Sequence, residues 1–136
     1  MARMLERALT RVGPGVLSLS DYRMLTAVAG GEARASRLAQ RLAVGKPTVS
    51  ASVDSLVRRG LLERQGRSTD QRAIELRITA EGDRLRRDAE SVLCELVGDV
   101  TARTADPEVT LAALAAVGAA IEERHSEHAE QQARPS

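Results

Sequence analysis

The stretch GKPTVSASVDSLVRRGLL, residues 45–62, holds the key to the chain. Val49, Val53, Leu56 and Val57 recur at helical spacing and make one apolar face. The other face carries Thr48, Ser50, Ala51, Ser52 and Ser55, all short, with Lys46 before them and Arg58 and Arg59 after. Ser and Thr are poorer helix formers than the Glu, Lys, Gln or Arg that a water-facing helix usually carries. Short side chains let a helix backbone come close to a partner, and their hydroxyls can donate to or accept from base edges and phosphates. Pro47 suits the first turn of this helix and Gly60 the position just past its end. Gly45 is expected to supply the strained backbone of the preceding turn.

Working outward, residues 35–43 read as a helix with Leu38, Ala39 and Leu42 facing inward. Before it, Ser18 caps a helix over 19–29, with Tyr22, Leu25 and Val28/Ala29 at helical spacing, ended by Gly30-Gly31. A first helix over 3–12, with Met4, Leu5 and Leu9 apolar, stops at Gly13-Pro14-Gly15. Downstream, 61–64 is a short strand and QGRSTDQ, 65–71, is a polar turn. Residues 72–78 alternate, with Ile74, Leu76 and Ile78 on one face and Glu75 and Arg77 on the other, which signals a hairpin. Thr79 caps a long helix over 81–103 with Leu85, Val92, Leu96 and Val100 apolar. Ala105-Asp106-Pro107 breaks it, and a last helix runs from 107 to 125 before a polar tail, 127–136, expected to fray.

Helix, turn, helix, hairpin is a winged helix-turn-helix, whose second helix enters the major groove of DNA. The expected fold is mainly α with a small β-hairpin wing. We read 1–136 as a single domain, with a DNA-binding region at 18–79 flanked by helical regions at 1–15 and 80–130.

Bulk properties agree. The chain has one Tyr, no Phe and no Trp, so its core must be Leu, Val, Ala and Ile. The Ala-rich second half buries little area per side chain, so burial against another copy would add stability. Net charge is +1, but residues 34–77 carry +6 and residues 78–136 carry −6. That asymmetry suits an anionic partner for one segment only. Nineteen of the twenty basic residues are Arg, a bias that a GC-rich genome also produces. Cys94 is the only cysteine, so no internal disulfide forms, which fits the cytoplasm. No apolar run reaches the ~18 residues of a membrane span. The first twelve residues lack the uninterrupted apolar core of a secretory signal.

Three segments together resemble the MarR family of bacterial transcription regulators: LSLSDYRML (17–25), SRLAQRLAVGKPTVSASVDSLVRRGLLER (36–64) and STDQRAIELRITAEG (68–82). The second resembles the family's helix-turn-helix with its Gly-Leu-hydrophobic-x-Arg lead into the wing. The third resembles its wing signature Asp-x-Arg, then Leu/Ile-Thr-x-x-Gly. The resemblance implies a homodimer built through N- and C-terminal helices, on a pseudo-palindromic double-stranded DNA operator. With the reading of the residues, it assigns DNA contacts to Ser36, Lys46, Pro47, Thr48, Ser50, Ser52 and Arg58, and to Arg67, Ser68 and Arg72 in the wing. Asp70 matches an aspartate that braces the wing arginine. Family members often carry Arg where this chain has Ala51 and Ser55, so base readout is thinner here and backbone and wing contacts carry more.

The expected function is a homodimeric, sequence-specific regulator, a repressor released by a small ligand. The resemblance implies a site for phenolic or lipophilic ligands beside the helix that carries Tyr22, which makes Tyr22 and Arg23 ligand candidates, although ordinary core packing is the commoner role for such a tyrosine. Two alternatives stand beside this. One is a winged-helix module for protein partners without DNA binding, which the missing arginines favour and the basic segment opposes. The other is redox response through Cys94, but neighbouring Glu90 and Glu95 do not favour a thiolate. His125 and His128 are three apart on a polar helix end and read as solvated rather than metal-bound. No nucleophile–base pair, phosphate-cradling loop or zinc signature is present, so neither enzyme nor cofactor is expected.

Overall fold

In the computed structural model, which describes residues 2–13, 16–66 and 75–133, apolar periodicity becomes six helices and a hairpin. The elements are α1 (Ala2–Leu9), α2 (Leu19–Ala29), α3 (Ala35–Leu42), α4 (Lys46–Arg58), β1 (Leu62–Gln65), β2 (Glu75–Ile78), α5 (Ala80–Thr101) and α6 (Pro107–Ala133). They form two compact units, residues 1–93 and 94–136, divided within α5.

In the first unit, α1 is shorter than its expected 3–12. It buries Ala8 and Leu9 but leaves Met4 in water. Ser18 caps α2 in a full capping box: its hydroxyl accepts from Asp21 N at 3.0 Å, and Asp21 accepts from Ser18 N at 3.1 Å. Met24, Leu25, Ala27 and Val28 of α2, Leu38 and Ala39 of α3, and Val49, Val53 and Leu56 of α4 are buried and make the core, with α3 packed on both α2 and α4. Each such buried Val or Leu contributes about 1.5–3 kcal/mol.

Helices α2, α3 and α4 end in the same way. The chain turns left-handed at Gly31 (φ 97), Ala43 (φ 54) and Gly60 (φ 70). The following amides then bond back to Ala27 O (3.0 Å), Ala39 O (3.1 Å) and Leu56 O (2.9 Å). This corrects the role expected of Gly45. Its φ of −64 is ordinary for any residue, and it serves as the N-cap of α4. The strained position in the helix-turn-helix is Ala43, because the orphan carbonyls at the end of α3 demand the inversion there.

β1 and β2 pair antiparallel, with Leu62 opposite Ile78, Glu63 opposite Arg77, Arg64 opposite Leu76 and Gln65 opposite Glu75. Leu62 and Leu76 point into the core, as the alternation predicts. The far edge of β2 is also held: Leu76 N donates to Ala33 O at 2.7 Å, tying the wing to the α2–α3 connection.

The start of α5 is locked to the end of α4. Thr79 N donates to Leu61 O at 3.1 Å, and the Thr79 hydroxyl donates to Gly60 O at 2.7 Å. The same hydroxyl accepts from Gly82 N at 3.0 Å, which makes Thr79 the expected cap. A Cβ on Gly82 would lie 2.1 Å from Leu61 O, so only glycine fits. Beyond this point Arg84 grips Glu81 through two bonds (2.7 and 2.9 Å) and reaches Asp88 at 2.9 Å. The Arg84 hydrogen bond holds the Glu81 carboxyl below its ordinary pKa.

In the second unit, α5 ends at Thr101, whose hydroxyl bonds back to Gly98 O at 3.1 Å. Asp106 caps α6 by accepting from Val109 N at 3.1 Å, and the helix runs on to Ala133, through most of the tail expected to fray. Val109, Leu111, Leu114, Val117 and Ile121 lie exposed along it. Every buried apolar side chain among the described residues belongs to the first unit.

Two substitutions check this account by urea unfolding. Ala43→Gly should raise stability by about 1 kcal/mol by relieving the left-handed alanine. Gly82→Ala should lower it by about 3 kcal/mol through overpacking against a backbone oxygen.

Candidate nucleic-acid interface

α4 is docked by its valines and Leu56, so its opposite side is free to work. Lys46, Pro47, Thr48, Ser50 and Ala51 are exposed, and Ser52 and Ser55 are half-buried at the edge. Lys46 opens the helix, where unpaired amides and the helix dipole favour an anion. Arg58 closes the helix and is exposed. Ser36 is exposed in the first turn of α3, beside exposed Arg34 and Arg37. The structure thus brings Ser36, Lys46, Pro47, Thr48, Ser50, Ser52 and Arg58 onto α3 and α4, the two helices of the helix-turn-helix. Arg67, Ser68, Asp70 and Arg72 lie outside the described residues, as do the side chains of His125 and His128.

One carboxylate, Asp54, sits on α4, and it is answered. Asp54 accepts a hydrogen bond from Arg64 of β1. Register explains the match, because Arg64 shares a strand face with Leu62 and Leu76, the face turned toward the core. The pair ties the wing's first strand to α4 and offsets a charge that would repel phosphates.

Arg59, next to Arg58, behaves differently from its neighbour. Its guanidinium turns back to α2 and donates to Asp21 Oδ2 at 3.1 Å and to Val16 O. Sequence reasoning grouped Arg58 and Arg59 as one basic end and missed this. A helix-spacing count separates them by about 100°, but the partners lie 38 and 43 residues away in sequence.

Tyr22 is half-buried on α2. Arg23 is exposed and reaches the carbonyl of Leu42 at the end of α3 at 3.5 Å. Cys94 is an exposed free thiol. Among the described residues no cluster of three or more His, Cys, Asp or Glu could hold a metal ion, and no helix is long and apolar enough to cross a membrane.

Comparison with known proteins bears on this surface. Residues 17–73 match the model of the MarR family. The chain is similar to the transcriptional regulator BldR from Sulfolobus solfataricus, at 26% identity over 87% of this chain and 84% of that one, with a TM-score of 0.68. It is similar to the M. tuberculosis transcriptional regulator MosR in complex with DNA, at 24% identity over 90% and 87%, with a TM-score of 0.64. It also resembles Staphylococcus aureus MarR in complex with salicylate and kanamycin, at 19% identity over 92% and 82%, with a TM-score of 0.75. At under a quarter identity, the last two likenesses concern the fold. Among curated proteins none matches.

If the hydroxyls of α4 face outward rather than into the fold, their loss costs no stability. Ser50→Ala should leave the thermal midpoint unchanged or slightly raised, since Ala is the better helix former. Leu56→Ala should cost about 2–5 kcal/mol. A large loss for Ser50→Ala would show that its hydroxyl serves the fold.

Proposed function

We propose, from the match of residues 17–73 to the model of the MarR family, that this chain is a member of it: a homodimeric, sequence-specific DNA-binding regulator that represses and is released by a small ligand. Proteins of this family are transcription regulators, not enzymes. The observation that carries the reading is the outer face of α4: short side chains, held outward by buried Val49, Val53 and Leu56, between Lys46 and Arg58.

The contact scheme follows from that face. Thr48, Ser50 and Ser52 allow close approach to a major groove, and Lys46, Arg58 and Ser36 meet flanking phosphates. With no arginine at Ala51 or Ser55, base readout from the middle of α4 is thin. Arg67, Ser68 and Arg72, with Asp70 as the brace the family resemblance implies, then carry a larger share of affinity.

The second unit supports the homodimer. It has no buried apolar side chain of its own among the described residues, yet α6 presents five large apolar side chains to water. Apolar surface of that kind marks an association site, and a second copy is the partner the family resemblance implies. Two recognition helices would then meet half-sites about one helical turn apart, ~34 Å.

Release by ligand rests on relatives, one of which was solved with salicylate. Tyr22 and Arg23 are our candidates for such a contact. A ligand that favours the spacing of recognition helices unsuited to DNA lowers operator affinity by population shift.

The direct experiment selects genomic fragments with the purified protein, then screens phenolic and lipophilic compounds for release. Binding of no fragment in a salt-dependent way would defeat the proposal. Arg67→Ala should weaken binding with little sequence preference and reduce the salt slope by about 1. Unchanged affinity and slope would remove Arg67 from the interface. In sedimentation, the parent should run as a dimer and the double variant Leu114→Glu/Ile121→Glu as a monomer.

A further inference from the structure

We infer that Arg59 is a positioning residue for DNA recognition rather than a DNA contact. Through Asp21 and the Val16 carbonyl it straps the last turn of the recognition helix to the start of α2, and operator affinity depends on the Asp21 carboxylate. The inference rests on the DNA-binding reading above and adds to it a residue pair outside the DNA-facing surface.

The geometry is specific. Arg59 stands at the C-cap of α4 with φ −83 and ψ 0, one residue before left-handed Gly60. A shift of its side chain therefore acts on the turn that ends the helix. Its guanidinium donates to Asp21 Oδ2 at 3.1 Å and to the Val16 carbonyl. Asp21 cannot follow a moving partner freely, because the same Oδ2 accepts from Ser18 N at 3.1 Å and Asp21 N donates to Ser18 Oγ at 3.0 Å. The carboxylate is thus anchored by the capping box of α2 and serves as a fixed post. The Asp21 side chain is 17% exposed and that of Arg59 33%, so water screens the pair less than a bridge on an open surface. Val16 precedes buried Leu17, where the chain arrives from α1. One guanidinium therefore joins three parts of the first unit: the approach to α2, the cap of α2 and the end of α4.

The sign of the effect separates this role from simple electrostatics. Removing a carboxylate from a DNA-binding region reduces repulsion of phosphates and should tighten binding. The strap predicts the opposite. Asp21→Asn keeps an oxygen that can accept from Ser18 N but removes the charge that holds Arg59. Asp21→Glu keeps the charge and suits the capping box.

The test measures affinity and salt slope for a selected operator with the parent, Asp21→Asn, Asp21→Glu, Arg59→Ala and the double variant Asp21→Asn/Arg59→Ala. Circular dichroism first sets a temperature at which all five are folded. Asp21→Asn and Arg59→Ala should each weaken operator binding by about threefold to thirtyfold, and the double variant should be no weaker than the worse single. The salt slope should stay at the parent's value, since no phosphate contact is lost, and Asp21→Glu should bind within about twofold of the parent. Equal or tighter binding by Asp21→Asn would overturn the strap. So would a fall of about 1 in the salt slope for Arg59→Ala alone, which would make Arg59 a phosphate contact. A parent that binds no DNA would overturn the DNA-binding reading, and the strap with it, and the parent is measured first.

Discussion

Two carbonyl oxygens at the end of the recognition helix, those of Gly60 and Leu61, govern how the first unit is assembled. Thr79 takes both, one through its hydroxyl and one through its amide. The contact is possible only because residue 82 has no Cβ to collide with Leu61 O. It closes the hairpin at its base, since Leu62 and Ile78 are the first pair beyond it. It also places the start of α5 directly on the end of α4. The Thr-x-x-Gly pattern, read in sequence as part of a family signature, thus has a mechanical reason: a cap whose hydroxyl serves two helices, and a glycine that makes room.

Much of this was legible because the signals were local. Ser18 with Asp21, Pro47 in a first turn, Gly60 past a helix end and alternation around Leu76 each act within a few residues, and each reappears in the structure. What escaped was of two kinds. The role expected of Gly45 fails because a glycine marks where an inversion is permitted, not where one is required: α3 needs its inversion two residues earlier, at Ala43. The Arg59–Asp21, Arg64–Asp54 and Leu76–Ala33 links escaped because they join residues distant in sequence. No period of 3.6 or 2 encodes such pairs. Of the candidate interface, the α3 and α4 positions were legible from side-chain size alone. The division of labour among its arginines required coordinates.

That division matters for how the surface works. Of the arginines in and around α4, Arg59 and Arg64 bond to carboxylates inside the unit, while Arg58 stays exposed. The net of +6 over residues 34–77 already sets Asp54 against Arg64 but leaves out Asp21, which lies outside that segment. The Arg59–Asp21 pair therefore takes one further charge from the outward face and ties the end of the helix to α2. A small domain without aromatic core residues has little packing to spare for holding a recognition helix steady, and ion pairs at both ends of the problem supplement it.

The bond from Leu76 to Ala33 also bears on the order in which the chain takes shape. It encloses α3, α4, β1 and the first residue of β2. Contacts among α2, α3 and α4 close short loops and cost little chain entropy, whereas this link closes a long one. The helices can therefore collapse first as a three-helix nucleus, with the wing's second strand arriving last to seal it. A chain still emerging from the ribosome would hold its recognition helix in place before it owned a wing.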